Sequence, residues 1–253
     1  MIQKQGFWNN FRSAVLFITV LPAGRDAVFS PLGMIRYFPL VGILLGALLC
    51  LADSLVSRLY PTPVSALVCT ILLVILTGAF HLDGLGDTAD GIFSHRSRER
   101  ALEIMKDSRI GMMGLVAVVC VLSLKTAGLY AMKNSLSGFG LLVAMIGIPS
   151  LARSGMLFGI RYLDYGRNSA GTGYDLFSQR LPIKDFIWIS VPVLMAACLG
   201  FRGVVILCGF GVLVFLILGF YKIKMGCITG DMLGAMVEVT EAALFLLAGM
   251  GLN

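Results

Sequence analysis

The stretch "VSALVCTILLVILTGAFHLDGLGDTADGIF", residues Val64–Phe93, runs from apolar to acidic within thirty positions. Its first part, 64–80, carries no charged side chain, whereas 81–90 holds a histidine and three aspartates. An apolar run of this kind approaches the ~20 residues needed to cross a hydrocarbon layer of ~30 Å. The rest of the chain has the same character. Of 253 residues, 58% are hydrophobic and only 13% charged, and the mean hydropathy is +0.90. That lies well above soluble globular chains and points to a polytopic membrane protein.

Working outward, apolar windows fall near 37–57, 64–80, 112–132, 138–158, 186–201, 204–221 and 232–252. Backbone groups in lipid must be satisfied within their own segment, so each window implies a helix. The expected fold is therefore an all-α transmembrane bundle with about seven crossings, six to eight being the range. Residues 1–253 form one integral domain, with segments 81–111 and 159–185 as cytoplasmic loops. The early part of segment 1–32, "FWNNFRSAVLFITVLP", is too mixed for a cleaved secretory signal with a small-residue cleavage site. Phe7, Phe11, Val15 and Ile18 recur at helical spacing, which predicts an amphipathic helix lying at the interface. Pro22 and the stretch Gly24–Asp26 then break the pattern.

Lys and Arg concentrate in cytoplasmic loops. With the amino terminus inside, fifteen of the twenty basic residues, Lys4 and Arg25 among them, fall on the cytoplasmic side. Only Arg58, Lys133 and Arg202 fall outside, while Lys125 and Arg153 lie within apolar windows. The acidic stretch is thus expected at the cytoplasmic face of the membrane. The net charge of +6 reads as topology and affinity for the lipid bilayer. No nucleic-acid partner is expected, since the basic residues are dispersed among acids. The six cysteines lack C-x-x-C spacing and read as small buried hydrophobes.

On a helix Asp83, Asp87 and Asp90 stand at i, i+4 and i+7, within about 60° of one another. Charges turned toward lipid cost roughly 2.5–3.5 kcal/mol each, so this face must meet water, a cation or the bundle interior. A solvated helix end would satisfy the acids, but it has no need of Gly84, Gly86 and Gly91, each costly in a helix. Glycines between carboxylates admit a ligand or a neighbouring backbone. Crowded carboxylates repel unless a cation sits among them. Mg²⁺ suits such a site, because it takes one or two carboxylates and completes its shell with water and phosphate oxygens.

Three further stretches fit phosphate chemistry. "EIMKDSRIGMMG" brings Lys106, Asp107 and Arg109 together before the third window, although such cations also flank any membrane helix. "TGDMLGAMVEVTEAALFL" places Asp231, Glu238 and Glu241 in an apolar window, where acids are functional by default or else paired to Lys125 or Arg153. The loop "IRYLDYGRNSAGTGYDLFSQRLP" sets Arg161, Arg167, Gly171 and Gly173 among tyrosines, a composition suited to a flat anionic ligand.

His81-Leu-Asp83-Gly-Leu-Gly-Asp87-Thr-Ala-Asp90-Gly, Met105-Lys-Asp107-Ser-Arg109-Ile-Gly111 and Thr229-Gly-Asp231-Met-Leu-Gly234 with Glu238 together resemble the cobalamin synthase family, the adenosylcobinamide-GDP ribazoletransferases. The likeness extends to "FITVLP" and "RYFPLVGILLG" and so spans nearly the whole chain. It implies a membrane enzyme that joins adenosylcobinamide-GDP to α-ribazole or its 5′-phosphate, releases GMP and requires Mg²⁺. A second copy of the chain or other enzymes of cobamide assembly are candidate partners. With that reaction, Asp83 and Asp87 become candidate metal ligands, with Asp231 or Glu238 reaching a second ion. Asp90, His81 and Asp107 become candidate catalytic groups, Asp90 being favoured as base. Lys106, Arg109, Arg161 and Arg167, with Gly84 and Gly91, become candidates for substrate binding.

Two other classes share parts of this pattern. CDP-alcohol phosphotransferases and prenyltransferases use paired aspartates, but the Ala-Arg step of the former is missing after Gly84 and "TGDMLGA" is a poor second motif for the latter. An ion-coupled transporter would place its acids deep in the membrane at matching points of two repeats, and no repeat is visible.

Overall fold

The structure, a computed structural model, describes residues 6–24, 28–167 and 172–251. Lys4, Arg25, Asp26 and Gly171 lie outside the described residues. Within them the chain is helical throughout, and the sole extended pairing is a single parallel bridge between Tyr165 and Ile228. The helices are α1 (Phe7–Ile18), α2 (Pro31–Met34), α3 (Phe38–Val56), α4 (Thr62–Leu76), α5 (Phe80–Ile92) and α6 (Arg98–Ile104). They continue with α7 (Met112–Ser135), α8 (Gly138–Tyr162), α9 (Thr172–Leu176), α10 (Ser190–Ala197), α11 (Phe201–Lys224) and α12 (Gly230–Ala248).

The expected helical bundle is present, with fewer long spans than windows. Among the described residues four segments are long and apolar enough to cross a membrane: Pro31–Val56, Met112–Ser135, Gly138–Tyr162 and Phe201–Lys224. A fifth arises if α4 and α5 count as one span bent by 88°. The bend sits at Gly78 and Ala79, both with φ of 58°, a left-handed pair that no helix continues through. The window 186–201 is broken into a 3₁₀ turn over Ile183–Ile189 and the eight-residue α10, about 12 Å of helix at 1.5 Å per residue. The window 232–252 becomes α12, whose three acids set it apart from a plain lipid-facing span.

α8 and α12 are the most buried helices, and α3 lies directly against α8. A Cβ at Gly46 would stand 2.5 Å from the Ile146 Cα, and one at Gly42 2.6 Å from the Pro149 carbonyl oxygen. This small-xxx-small spacing lets two helix backbones touch where lipid provides no hydrophobic drive between them. The Ser150 hydroxyl donates to the Pro39 carbonyl at 2.7 Å across the same contact. By contrast α7 and α11 turn residues such as Val119, Val212 and Phe215 outward, as lipid-facing helices do.

Two polar clusters mark depth. Lys125 and Arg153, both fully buried, meet α12: Lys125 Nζ donates to Glu238 at 2.6 Å and Glu241 at 2.7 Å, and Arg153 pairs with Glu241. At one end of the bundle Lys133 pairs with Asp53 and donates to Ser57 at 3.0 Å and Ser65 at 2.6 Å. Helix α1 is amphipathic as expected. Ala14, Val15 and Ile18 are buried, and Phe7 reaches the rings of Tyr37 and Trp188 at 5.1 and 6.1 Å.

Candidate active site

The site lies at the end of the bundle opposite Lys133. Helix α5 covers Asp83, Asp87 and Asp90 in one element, so the i, i+4, i+7 face is realised. Asp83 is exposed, and the other two are half-buried. What α5 faces is decided by Gly84. A Cβ there would lie 2.7 Å from the Asp231 carbonyl oxygen, so α5 meets the first turn of α12 backbone to backbone. One turn along, Gly234 lies against His81, with 3.1 Å between its built Cβ and the His81 Cα. Thr229 caps α12 by accepting from Met232 N at 3.3 Å. Asp231 thus sits in a helix first turn, where the partial positive charge favours an anion.

Arg167 joins this acidic face from a loop. Gly166 N donates to the Ile228 carbonyl and Ile228 N to the Asp164 carbonyl, both at 2.9 Å, and this bridge pins residues 164–167 beside the start of α12. Arg167 Nη2 then reaches Asp231 at 2.5 Å and the Met105 carbonyl at 3.1 Å, tying α6, the loop and α12 together. Asp87 sits within the charges of Asp83, Asp231, Asp90 and Arg167. Neither Asp83 nor Asp87 accepts a hydrogen bond or forms an ion pair among the described residues.

Asp90 is engaged elsewhere. Its carboxylate accepts from Gly111 N at 2.6 Å and Gly114 N at 2.8 Å, capping the amino terminus of α7. Both carboxylate oxygens are thus occupied by backbone donors, which removes the reason for favouring Asp90 as base. Asp90→Ala is expected to cost about 1 kcal/mol, as loss of a helix cap does. It should show as a lower thermal midpoint in detergent; a variant with unchanged midpoint but abolished turnover would restore Asp90 as the base.

The other expected residues divide in the same way. His81 is fully buried under α12 with neither ring nitrogen hydrogen-bonded, facing the bundle rather than the mouth. Gly91 packs on α6, its built Cβ 2.6 Å from Met105 Cγ, so Gly84 and Gly91 serve helix contact instead of ligand contact. Asp107 is bound by Arg109 at 2.5 Å, and that guanidinium holds its carboxyl down at about 2. Ionised and paired, it is an unsuitable base. Lys106 is exposed on the rim, and Arg109 is exposed beside it with its guanidinium held by Asp107. Arg161 donates to the Leu181 carbonyl and lies over the Tyr162 ring, which holds the 176–185 segment and keeps it from the aspartates. Glu238 is buried on Lys125, so it leaves the proposed metal set.

No group of three or more His, Cys, Asp or Glu converges as a metal cage among the described residues. A Mg²⁺ site of one or two carboxylates plus substrate oxygens needs less. The unpartnered pair Asp83 and Asp87 fits that need, with Asp231 facing them. The sequence reading missed the backbone parts: the Met105 carbonyl, the Gly111 and Gly114 amides, and the bridge that aims Arg167. The Thr229-Gly-Asp231 start of α12 is the one local signal, a threonine cap ahead of an apolar run.

The chain matches the family model described as cobalamin-5-phosphate synthase over residues 10–249. Among similar proteins is an adenosylcobinamide-GDP ribazoletransferase of Acetivibrio thermocellus, 36% identical over 88% of this chain and 86% of that protein. Proteins of the same name from Alkaliphilus metalliredigens and Citrobacter koseri are 35% and 37% identical, covering 96% and 94% of this chain and 98% of each relative. No solved structure matches. The likeness runs over nearly the full length and includes every element of the site, so the chain belongs to the cobalamin-5-phosphate synthase family, membrane-embedded transferases of cobalamin biosynthesis.

Proposed function

We propose that the chain transfers the cobinamide phosphate of adenosylcobinamide-GDP to α-ribazole, or to its 5′-phosphate, with Mg²⁺ and at the cytoplasmic face of the cytoplasmic (inner) membrane. One observation carries this reading: two carboxylates on one helix face, unpartnered, beside an Arg167–Asp231 pair at 2.5 Å. Family membership supplies the reaction class, and the substrate names come from the relatives. Among the described residues, Arg161, Lys222 and Lys224, expected inside, end α8 and α11 at the same end as the aspartates.

A ribose hydroxyl of the ribazole attacks the phosphorus bonded to cobinamide. The bond from that phosphorus to the bridging oxygen breaks, and GMP leaves with the electron pair. Transfers of this kind need positioning and charge neutralisation more than covalent help. Asp83 and Asp87 would hold the ion. Bound there, Mg²⁺ neutralises charge on the diphosphate and the leaving phosphate. Arg167 presents a guanidinium to phosphate oxygens from a loop fixed by its backbone bridge, and Lys106 and Arg109 add positive charge at the rim. With Asp90 bound to α7 and His81 buried, neither is placed to receive the hydroxyl proton.

The test is GMP release by the purified chain in detergent, given both substrates. Release should require the two substrates together, stop on adding EDTA and return with Mg²⁺. Full release in EDTA overturns the metal assignment, and absence of release in all conditions overturns the substrates.

A further inference from the structure

On the site's side of the bundle, a cavity of about 630 Å³ opens between the α1–α2 region and the 178–185 segment. Arg36, Arg180 and Lys184 line it, against Asp175 and Asp185. Arg36 lies 3.8 Å from Asp185 and 5.0 Å over the Tyr37 ring, and its buried Nε has no hydrogen-bond partner. Arg180 and Lys184 make no hydrogen bond or ion pair among the described residues. Positive charge in the cavity therefore exceeds what its own acids neutralise.

The cavity's depth is marked by what surrounds it. Phe7, Tyr37 and Trp188 form one aromatic cluster next to Arg36. Trp8, Ile183 and Ile187 project outward, 71%, 73% and 61% exposed. Aromatic rings with exposed apolar neighbours collect at the level of lipid headgroups, and basic pockets at that level on membrane helices recognise anionic headgroups.

We propose that this cavity binds a phosphate group, that of an anionic phospholipid headgroup, with Arg36, Arg180 and Lys184 as its ligands and the outward Trp8, Ile183 and Ile187 against the surrounding lipid. A free or nucleotide phosphate offers the same oxygens. The aromatic surround and the outward apolar residues favour the lipid. Nothing here depends on the transfer reaction proposed above.

The test takes the full chain in nanodiscs of equal phosphatidylglycerol and phosphatidylcholine and reads retained lipid by native mass spectrometry. Phosphatidylglycerol should be retained in preference. Lys184→Gln should lower that preference about fivefold and Arg180→Gln with Lys184→Gln about twentyfold, in keeping with the contribution of single basic residues near anionic lipid. Both side chains are exposed and unpaired, so the variants keep the fold, and Arg58→Gln at the other end of the bundle should change nothing. Equal retention of the two lipids, or unchanged retention in the double variant, overturns the proposal. Displacement of the lipid by millimolar inorganic phosphate overturns the lipid source and assigns the cavity to a soluble phosphate.

Discussion

Asp83→Asn and Asp87→Asn, made separately, are expected to lower the rate of GMP release by about 10²- to 10³-fold each, the usual loss when one group that stabilises transition-state charge is removed. Neither carboxylate has a partner among the described residues, so thermal midpoints should be unchanged or slightly raised as repulsion among Asp83, Asp87 and Asp231 is relieved. The two losses should not add, because both residues act on one centre. Wild-type rates in either variant would show that α5 presents its acids to something other than the reacting phosphate.

The second large effect concerns stability. Glu241→Gln is expected to cost about 3–5 kcal/mol, since it leaves the fully buried Arg153 without its carboxylate. Lys125 retains Glu238 at 2.6 Å. The chain should accumulate poorly and aggregate at lower temperature in detergent. Arg153→Met added to Glu241→Gln removes both members of one pair and should restore much of the loss. A double variant no better than Glu241→Gln alone would mean that the pair is not the source of the cost.

The aspartate face was legible because it is local. Positions 83, 87 and 90 share a face on any helix, and their neighbours in sequence include none of their eventual partners. What Asp90 does was not legible, for its donors lie 21 and 24 residues away at the start of another helix. Glu238 and Asp231 show the same limit more sharply. Both are acids in an apolar window, and residue type alone leaves ion pair and metal site equally open. Packing turned Glu238 to Lys125 and Asp231 to Arg167, 113 and 64 residues away. The bundle was readable because lipid forces long apolar helices. The long apolar helices are fewer than the windows because a window measures average apolarity and is blind to breaks, whether the left-handed pair at Gly78 and Ala79 or the 3₁₀ turn over Ile183–Ile189.

The buried pairs also set an order of assembly. Lys125 on α7 and Arg153 on α8 precede their carboxylates on α12 by 88 to 116 residues. During synthesis both cations reach the translocation machinery while their neutralising partners are still unmade or inside the ribosome. Until α12 arrives, two uncompensated charges stand at membrane depth, each disfavoured by roughly 2.5–3.5 kcal/mol on insertion scales. Helix α12 therefore closes two processes in one event: it discharges the membrane interior, and its first turn delivers Asp231 to the aspartate face. Chains halted before it lack both the carboxylates for Lys125 and Arg153 and the Asp231 of the site.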